Sequence, residues 1–151
     1  MRSLTLISLC SIFLFSCTKE STDVKKGRYS FIAKYNTTLS TGEIVETPQQ
    51  IAFLFIWKAD GRDFEIKSDI SSGYAYDRTS STSIKYDIAK VNRLSILEEI
   101  EPGRYFIYIV TPIDFFPTGM YSYTYFDIQP NTTTALKKVF LTRANYVYEP
   151  W

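Results

Sequence analysis

The sequence predicts an all-β protein, a single-domain antiparallel β-sandwich of eight or nine strands, and three observations carry that expectation. Short runs rich in β-branched and aromatic residues recur along the chain with turn residues between them, and no stretch sustains a helical period. The most continuous run, Tyr105 to Thr111, is bounded by Pro112 and reads as a central strand buried on both faces. It follows Pro102-Gly103, in which Pro presets φ for the first central turn position and Gly can take the positive φ of the second. A type II turn splays its flanking strands, so this one is expected to carry the chain between two sheets rather than close a tight hairpin.

Taken in order, the chain opens with Arg2 and an apolar segment from Leu4 to Phe15, too short to span a bilayer but suited to a signal-peptide core. Leu14-Phe15-Ser16-Cys17 then resembles the lipobox of bacterial lipoproteins. The resemblance implies a signal peptide over 1–16, cleavage before Cys17, and a diacylglycerol thioether on its sulfur with acylation (palmitate-type) of the new amino group. Several acyl chains anchor a protein stably where one does so only marginally. Of the two cysteines, Cys10 then leaves with the signal peptide and Cys17 carries lipid, so no disulfide is expected and the domain must stand on its hydrophobic core. Thr18 to Lys26 is polar without apolar period, which makes 17–26 a flexible tether and 27–151 the domain. Thr18, where inner-membrane lipoproteins of diderm bacteria usually carry Asp, resembles the outer-membrane class, on the periplasmic face or the cell surface.

From Arg28, Tyr29, Phe31, Ala33 and Tyr35 alternate with polar neighbours, the pattern of a half-buried strand. Glu43 to Glu46 reads as a short edge strand ended by Pro48, and Ile51 to Lys58 as a strand apolar on both faces. Asp60-Gly61 suits a two-residue hairpin turn, pairing Trp57 with Phe64, Phe55 with Ile66 and Lys58 with Asp63. Ser68 to Ser83 reads as a long connection with one short strand, Ile84 to Ala89 as a half-buried strand, and Leu94 to Ile100 as the strand entering the Pro-Gly turn. After the central strand come a loop holding Phe115 and Phe116, strands Tyr121 to Ile128 and Ala135 to Thr142, and a tail from Tyr146 to Trp151 that suits a final edge strand.

Glu101-Pro102-Gly103-Arg104-Tyr105, the alternating residues after it and the late Asn131 to Leu141 strand are similar to a region of prealbumin-like sandwiches, the carboxypeptidase-regulatory-like domains and B-type repeats of collagen adhesins. That resemblance covers about the last third of the domain. It implies a prealbumin-like or Ig-like sandwich, and such domains mostly serve as stalks, spacers and binding modules.

The chemistry on offer is narrow. The chain has no histidine, which removes His-based triads and His-ligated zinc, and no phosphate-binding glycine loop. Its 17 basic and 16 acidic residues become balanced once Arg2 is gone, so charge gives no reason to expect nucleic acid. Carboxylate pairs alone remain for hydrolysis: Asp60, Asp63 and Glu65, or Glu98, Glu99 and Glu101. Both groups read better as turn and exposed strand-face residues, so no catalytic set, metal site or cofactor is expected.

The conspicuous feature is the aromatic load of 12 Tyr and 11 Phe. Tyr121, Tyr123 and Tyr125 share one face of a strand. Exposed, they make a platform for stacking on sugars; covered, they are cross-strand packing. Phe115 and Phe116 are the second ligand-contact candidate, either a partner-binding tip or a plug over the core. Two function classes follow: a non-enzymatic, lipid-anchored module that binds or spaces proteins in a cell-envelope assembly, or a lipid-anchored carbohydrate-binding module.

Overall fold

The computed structural model describes residues 25–49, 52–67, 73–91, 95–112, 119–141 and 148–151. The run that anchors the sequence forms β9 (Gly103–Pro112), and Tyr105 to Thr111 are all buried. It lies inside a four-stranded antiparallel sheet in the order β10-β9-β3-β7, with β10 (Gly119–Ile128), β3 (Phe53–Lys58) and β7 (Ile88–Val91). A second sheet is organised on β1 (Gly27–Thr38), twelve residues long. One edge of β1 carries β11 (Thr133–Phe140); the other carries β8 (Ser95–Ile100) and β2 (Ile44–Pro48) end to end. The β1–β11 pairing is parallel, a departure from the wholly antiparallel expectation. Its cause is connectivity: β11 enters from β10, a strand of the other sheet, through the Pro130-Asn131 turn, so no hairpin fixes its direction.

The two sheets face one another across the larger core. Tyr29, Phe31 and Ala33 from β1 and Leu136 and Phe140 from β11 meet Leu54, Ile56, Ile107, Ile109 and Met120 from the other sheet. Burying each large apolar side chain is worth about 1.5–3 kcal/mol, which is how a chain without a described disulfide can be held together. As expected, Pro102-Gly103 crosses between the sheets, joining β8 to β9. Gly103 takes a φ of +149°, open to glycine but far from the value near +80° of an ideal type II turn. The Asp60 carboxylate lies 3.1 Å from where a Cβ on Gly103 would stand and accepts the Arg104 N–H at 2.8 Å.

Beside this crossing, the Tyr105 hydroxyl donates to the Glu101 carbonyl at 2.8 Å. Burial, reinforced by the Glu101, Asp60 and Asp87 carboxylates, pushes the phenol up from 10.0 to about 12. Between those values the unfolded chain sheds a proton that the folded chain keeps, so stability falls as pH rises through the window. Urea melts from about pH 9 to 12 are expected to show that decline, and Tyr105→Phe to make it shallower. An unchanged slope in the variant would contradict the assignment.

A third, small sheet covers the opposite face of the central one: β4 (Phe64–Glu65), β5 (Tyr74–Asp77) and β6 (Thr82–Lys85). Between them lies a second core of Trp57, Phe64, Ala75, Phe106, Tyr108 and Val110. The β9-containing sheet is thus a middle layer, which explains why β3 and β9 are apolar on both faces. The described residues form eleven strands rather than eight or nine. The surplus arises where the expected Ile84–Ala89 strand divides into β6 and β7 in different sheets, and where β5 forms within the long connection and pairs with β6.

The division falls at Asp87, whose N–H donates to the Ile56 carbonyl and whose carboxylate accepts the Lys58 N–H at 2.6 Å. The Asp60-Gly61 turn forms, with Arg62 N–H on the Ala59 carbonyl at 3.1 Å and Gly61 at φ +71°. Its arms, however, do not pair as expected. Both edges of β3 are taken by β7 and β9, so the chain after the turn rises off the sheet into β4. Phe64 still reaches Trp57, at 6.2 Å between ring centroids, but from the layer above. Lys58 is paired with Asp60 and Glu101 instead of Asp63.

Candidate functional site: the tyrosine face of the middle sheet

The register of β10 on β9 places Tyr121 opposite Val110, Tyr123 opposite Tyr108 and Tyr125 opposite Phe106, all on the face turned toward the small sheet. Their rings lie partly buried on that second core. Tyr125 packs at 5.0 Å from the Phe106 ring, and the Arg104 guanidinium sits over the Tyr125 ring, 4.7 Å from its centroid. Its hydroxyl accepts the Phe64 N–H at 2.5 Å and lies 3.3 Å from the Asp63 carboxylate, to which it donates. Burial and that carboxylate raise its pKa, against the lowering effect of the Phe64 N–H. This tyrosine fastens β4 to β10. Tyr125→Phe strips the Phe64 N–H of its acceptor and is expected to cost about 1–2 kcal/mol in urea unfolding, with faster hydrogen exchange at the Phe64 amide. An unchanged exchange rate would show that the hydroxyl does not hold β4.

Tyr121 and Tyr123 meet a ring the sequence reading did not single out. Tyr148 stacks on Tyr123 at 4.8 Å and an interplanar angle of 30°, and lies 5.6 Å from Tyr121. Burial and the two neighbouring phenols raise its pKa. Beneath them, the Tyr108 hydroxyl is buried without a hydrogen-bond partner among the described residues, and burial pushes its pKa far up. The three β10 tyrosines therefore do not form an open platform. What faces solvent is chiefly Tyr148, 40% exposed, with the margins of Tyr121 and Tyr123.

Tyr148 belongs to a C-terminal strap, described over 148–151, that binds both large sheets. A parallel bridge pairs it with Tyr121, Glu149 N–H donates to the Tyr121 carbonyl at 2.9 Å, and Ser122 Oγ donates to the Glu149 carbonyl at 2.6 Å. On the other sheet, Lys138 Nζ donates to the Pro150 carbonyl at 2.6 Å and stands 3.8 Å from the Glu149 carboxylate, which accepts the Leu141 N–H at 2.8 Å. Trp151 packs on Phe31 with ring centroids 6.1 Å apart. Of the expected final edge strand, Tyr146 to Trp151, the described residues 148–151 form one bridge, at Tyr148. Sequence alternation held one pointer to it: Tyr146 and Tyr148 continue the period-two aromatic pattern into the tail.

Phe115 and Phe116 lie outside the described residues, as does Cys17. The carboxylate candidates are scattered and partnered. Asp63 and Glu65 meet Arg78, Glu98 meets Lys90, Glu99 meets Arg28, and Glu101 and Asp60 meet Lys58. Among the described residues no three His, Cys, Asp or Glu side chains are grouped to hold a metal. Comparison with protein-family models, curated proteins and solved structures finds no match to this chain.

Proposed function

We propose that this chain is a non-enzymatic, lipid-anchored cell-envelope protein, held in the outer membrane through Cys17, whose prealbumin-like or Ig-like sandwich binds or spaces other proteins in an envelope assembly. The lipobox Leu14-Phe15-Ser16-Cys17, the polar tether after it, and a β1 that starts at Gly27 support an anchored arrangement. The observation that favours a protein module over a sugar module is the cover on the tyrosine face. Tyr125 spends its hydroxyl on Phe64, and the strap lays Tyr148 over Tyr121 and Tyr123, so three rings of a would-be platform serve packing. A prealbumin-like assignment draws on the Pro102-Gly103 crossing between the sheets.

The carbohydrate reading keeps one foothold, the exposed Tyr148. Retardation of the intact protein in polysaccharide gels, with Tyr148→Ala in parallel, separates the two. The proposal expects no retardation, together with a discrete protein adduct on cross-linking in intact cells. Retardation that Tyr148→Ala abolishes, with no such adduct, would replace it with the carbohydrate module.

A further inference from the structure

The turn between β10 and β11 packs against the residues where the chain enters the domain. Asn131 N–H donates to the Lys26 carbonyl at 3.0 Å and Arg28 N–H to the Thr132 carbonyl at 2.8 Å. Gly27 permits the approach, since a Cβ there would overlap the Gln129 carbonyl oxygen and the Ile128 side chain. Between these segments lies a hollow of about 560 Å³, within the size range of small-molecule sites. Lys25, Lys26 and Arg28 line one side, and Asn131, Thr132 and Thr133 the other.

Its charge is lopsided for a chain so nearly neutral overall. Three cations face it and one carboxylate, Glu99, which is paired with Arg28 at 3.2 Å. Lys25 and Lys26 are exposed and form no ion pair among the described residues. The Thr132 hydroxyl donates to the Gln129 carbonyl at 3.0 Å, which leaves ammonium and guanidinium groups beside the Asn131 amide and the Thr133 hydroxyl, a donor set that recognises phosphate oxygens.

We propose that this hollow seats the phosphates of anionic lipid headgroups and docks the base of the domain on the membrane that holds Cys17. The inference rests on the anchoring proposed above. The eight-residue step from Cys17 to Lys25 reaches at most about 28 Å when fully extended. Tethering therefore keeps the hollow at high effective concentration near the headgroups, so a site too weak to recruit a free protein can still be occupied. The attraction acts only within about a Debye length, so it orients the domain on contact rather than drawing it from afar.

The test uses the full mature protein reconstituted in vesicles of phosphatidylglycerol, of phosphatidylcholine, and of phosphatidylcholine with added inorganic phosphate. Amine acetylation of Lys25 and Lys26 is followed by mass spectrometry against Lys85 on β6. Docking is expected to slow both lysines about fivefold or more in phosphatidylglycerol, with recovery in about 1 M salt, where the Debye length is about 3 Å. Arg28→Gln with Asn131→Gly is expected to remove most of the protection. Glycine suits position 131, whose φ is +58°, and Arg28 is well exposed, so the fold is retained.

Equal reactivity in both vesicle types, with the protein floating on them, would overturn the docking while leaving the anchor intact. Equal protection by inorganic phosphate in phosphatidylcholine would overturn it in favour of a soluble phosphate ligand. Failure to float with the vesicles would overturn the anchoring and the docking together.

Discussion

Trp57→Ala is expected to destabilise the domain by about 3–5 kcal/mol, the usual cost of emptying an aromatic site in a packed core. Trp57 is 1% exposed and sits where the middle and small sheets meet, with Phe106 at 5.8 Å and Phe64 at 6.2 Å. Its indole N–H donates to the Ile84 carbonyl at 2.9 Å, so the same side chain fills the second core and ties β3 to β6. Trp57→Phe keeps most of the volume but leaves that carbonyl without its donor, and should cost about 1–3 kcal/mol. Urea unfolding measures both. The ordering matters more than either value: equal losses in the two variants would mean that the hydrogen bond, not the packing, joins the layers.

Glu149→Ala is expected to cost about 3–5 kcal/mol, because it leaves the Lys138 ammonium buried without its carboxylate. The two side chains are 10% and 5% exposed, and removing the acid also takes the acceptor from the Leu141 N–H. Burial lowers the Lys138 pKa from 10.5, with the attraction of Glu149 opposing it. A lysine whose folded pKa lies below its unfolded value is charged in the unfolded chain when it is neutral in the fold. Its contribution therefore makes stability rise with pH between the folded value and 10.5. The double variant Lys138→Met, Glu149→Leu is expected to recover most of the loss and to abolish that slope. A single Glu149→Ala variant as stable as the parent would show that the strap carries no load. In urea, the strap variants should also expose Trp151 early, since that ring reaches Phe31 only through the strap.

Sequence patterns revealed those parts of the fold where one residue type can serve only one purpose. β9 was readable because a run apolar at both parities has no place except between two layers, and Pro102-Gly103 because its handedness mismatches a tight hairpin. β1 showed itself by alternation alone, and Tyr29, Phe31 and Ala33 are buried as that pattern requires. What stayed hidden depends on competition between distant partners. The Asp60-Gly61 turn is local and was legible; its arms separate because β7 and β9 claim both edges of β3, which no local signal reveals. Likewise, the alternation from Ile84 to Ala89 runs on unbroken while the chain changes sheets at Asp87.

The tyrosine face was legible as a face but not as a covered one. Its cover, Tyr148, reaches it through a parallel bridge, and the buried Lys138 and Glu149 that hold the strap look in the sequence like any exposed pair. The basic hollow was hidden for a related reason. Lys25 and Lys26 read as tether, and only the return of the Asn131 turn against them makes the hollow.

The proposed anchoring rests on Cys17. Intact mass and fatty-acid labelling of the protein extracted from membranes of an expressing diderm bacterium, beside Cys17→Ser, test it most directly. The expected product begins at Cys17, carries a glycerol and two or three acyl chains, and floats with outer-membrane vesicles, while Cys17→Ser takes up no label and keeps its first sixteen residues. A wild-type protein that is cleaved but unlabelled, with a free Cys17 thiol and no membrane partition, would contradict the anchoring on which the proposed function stands.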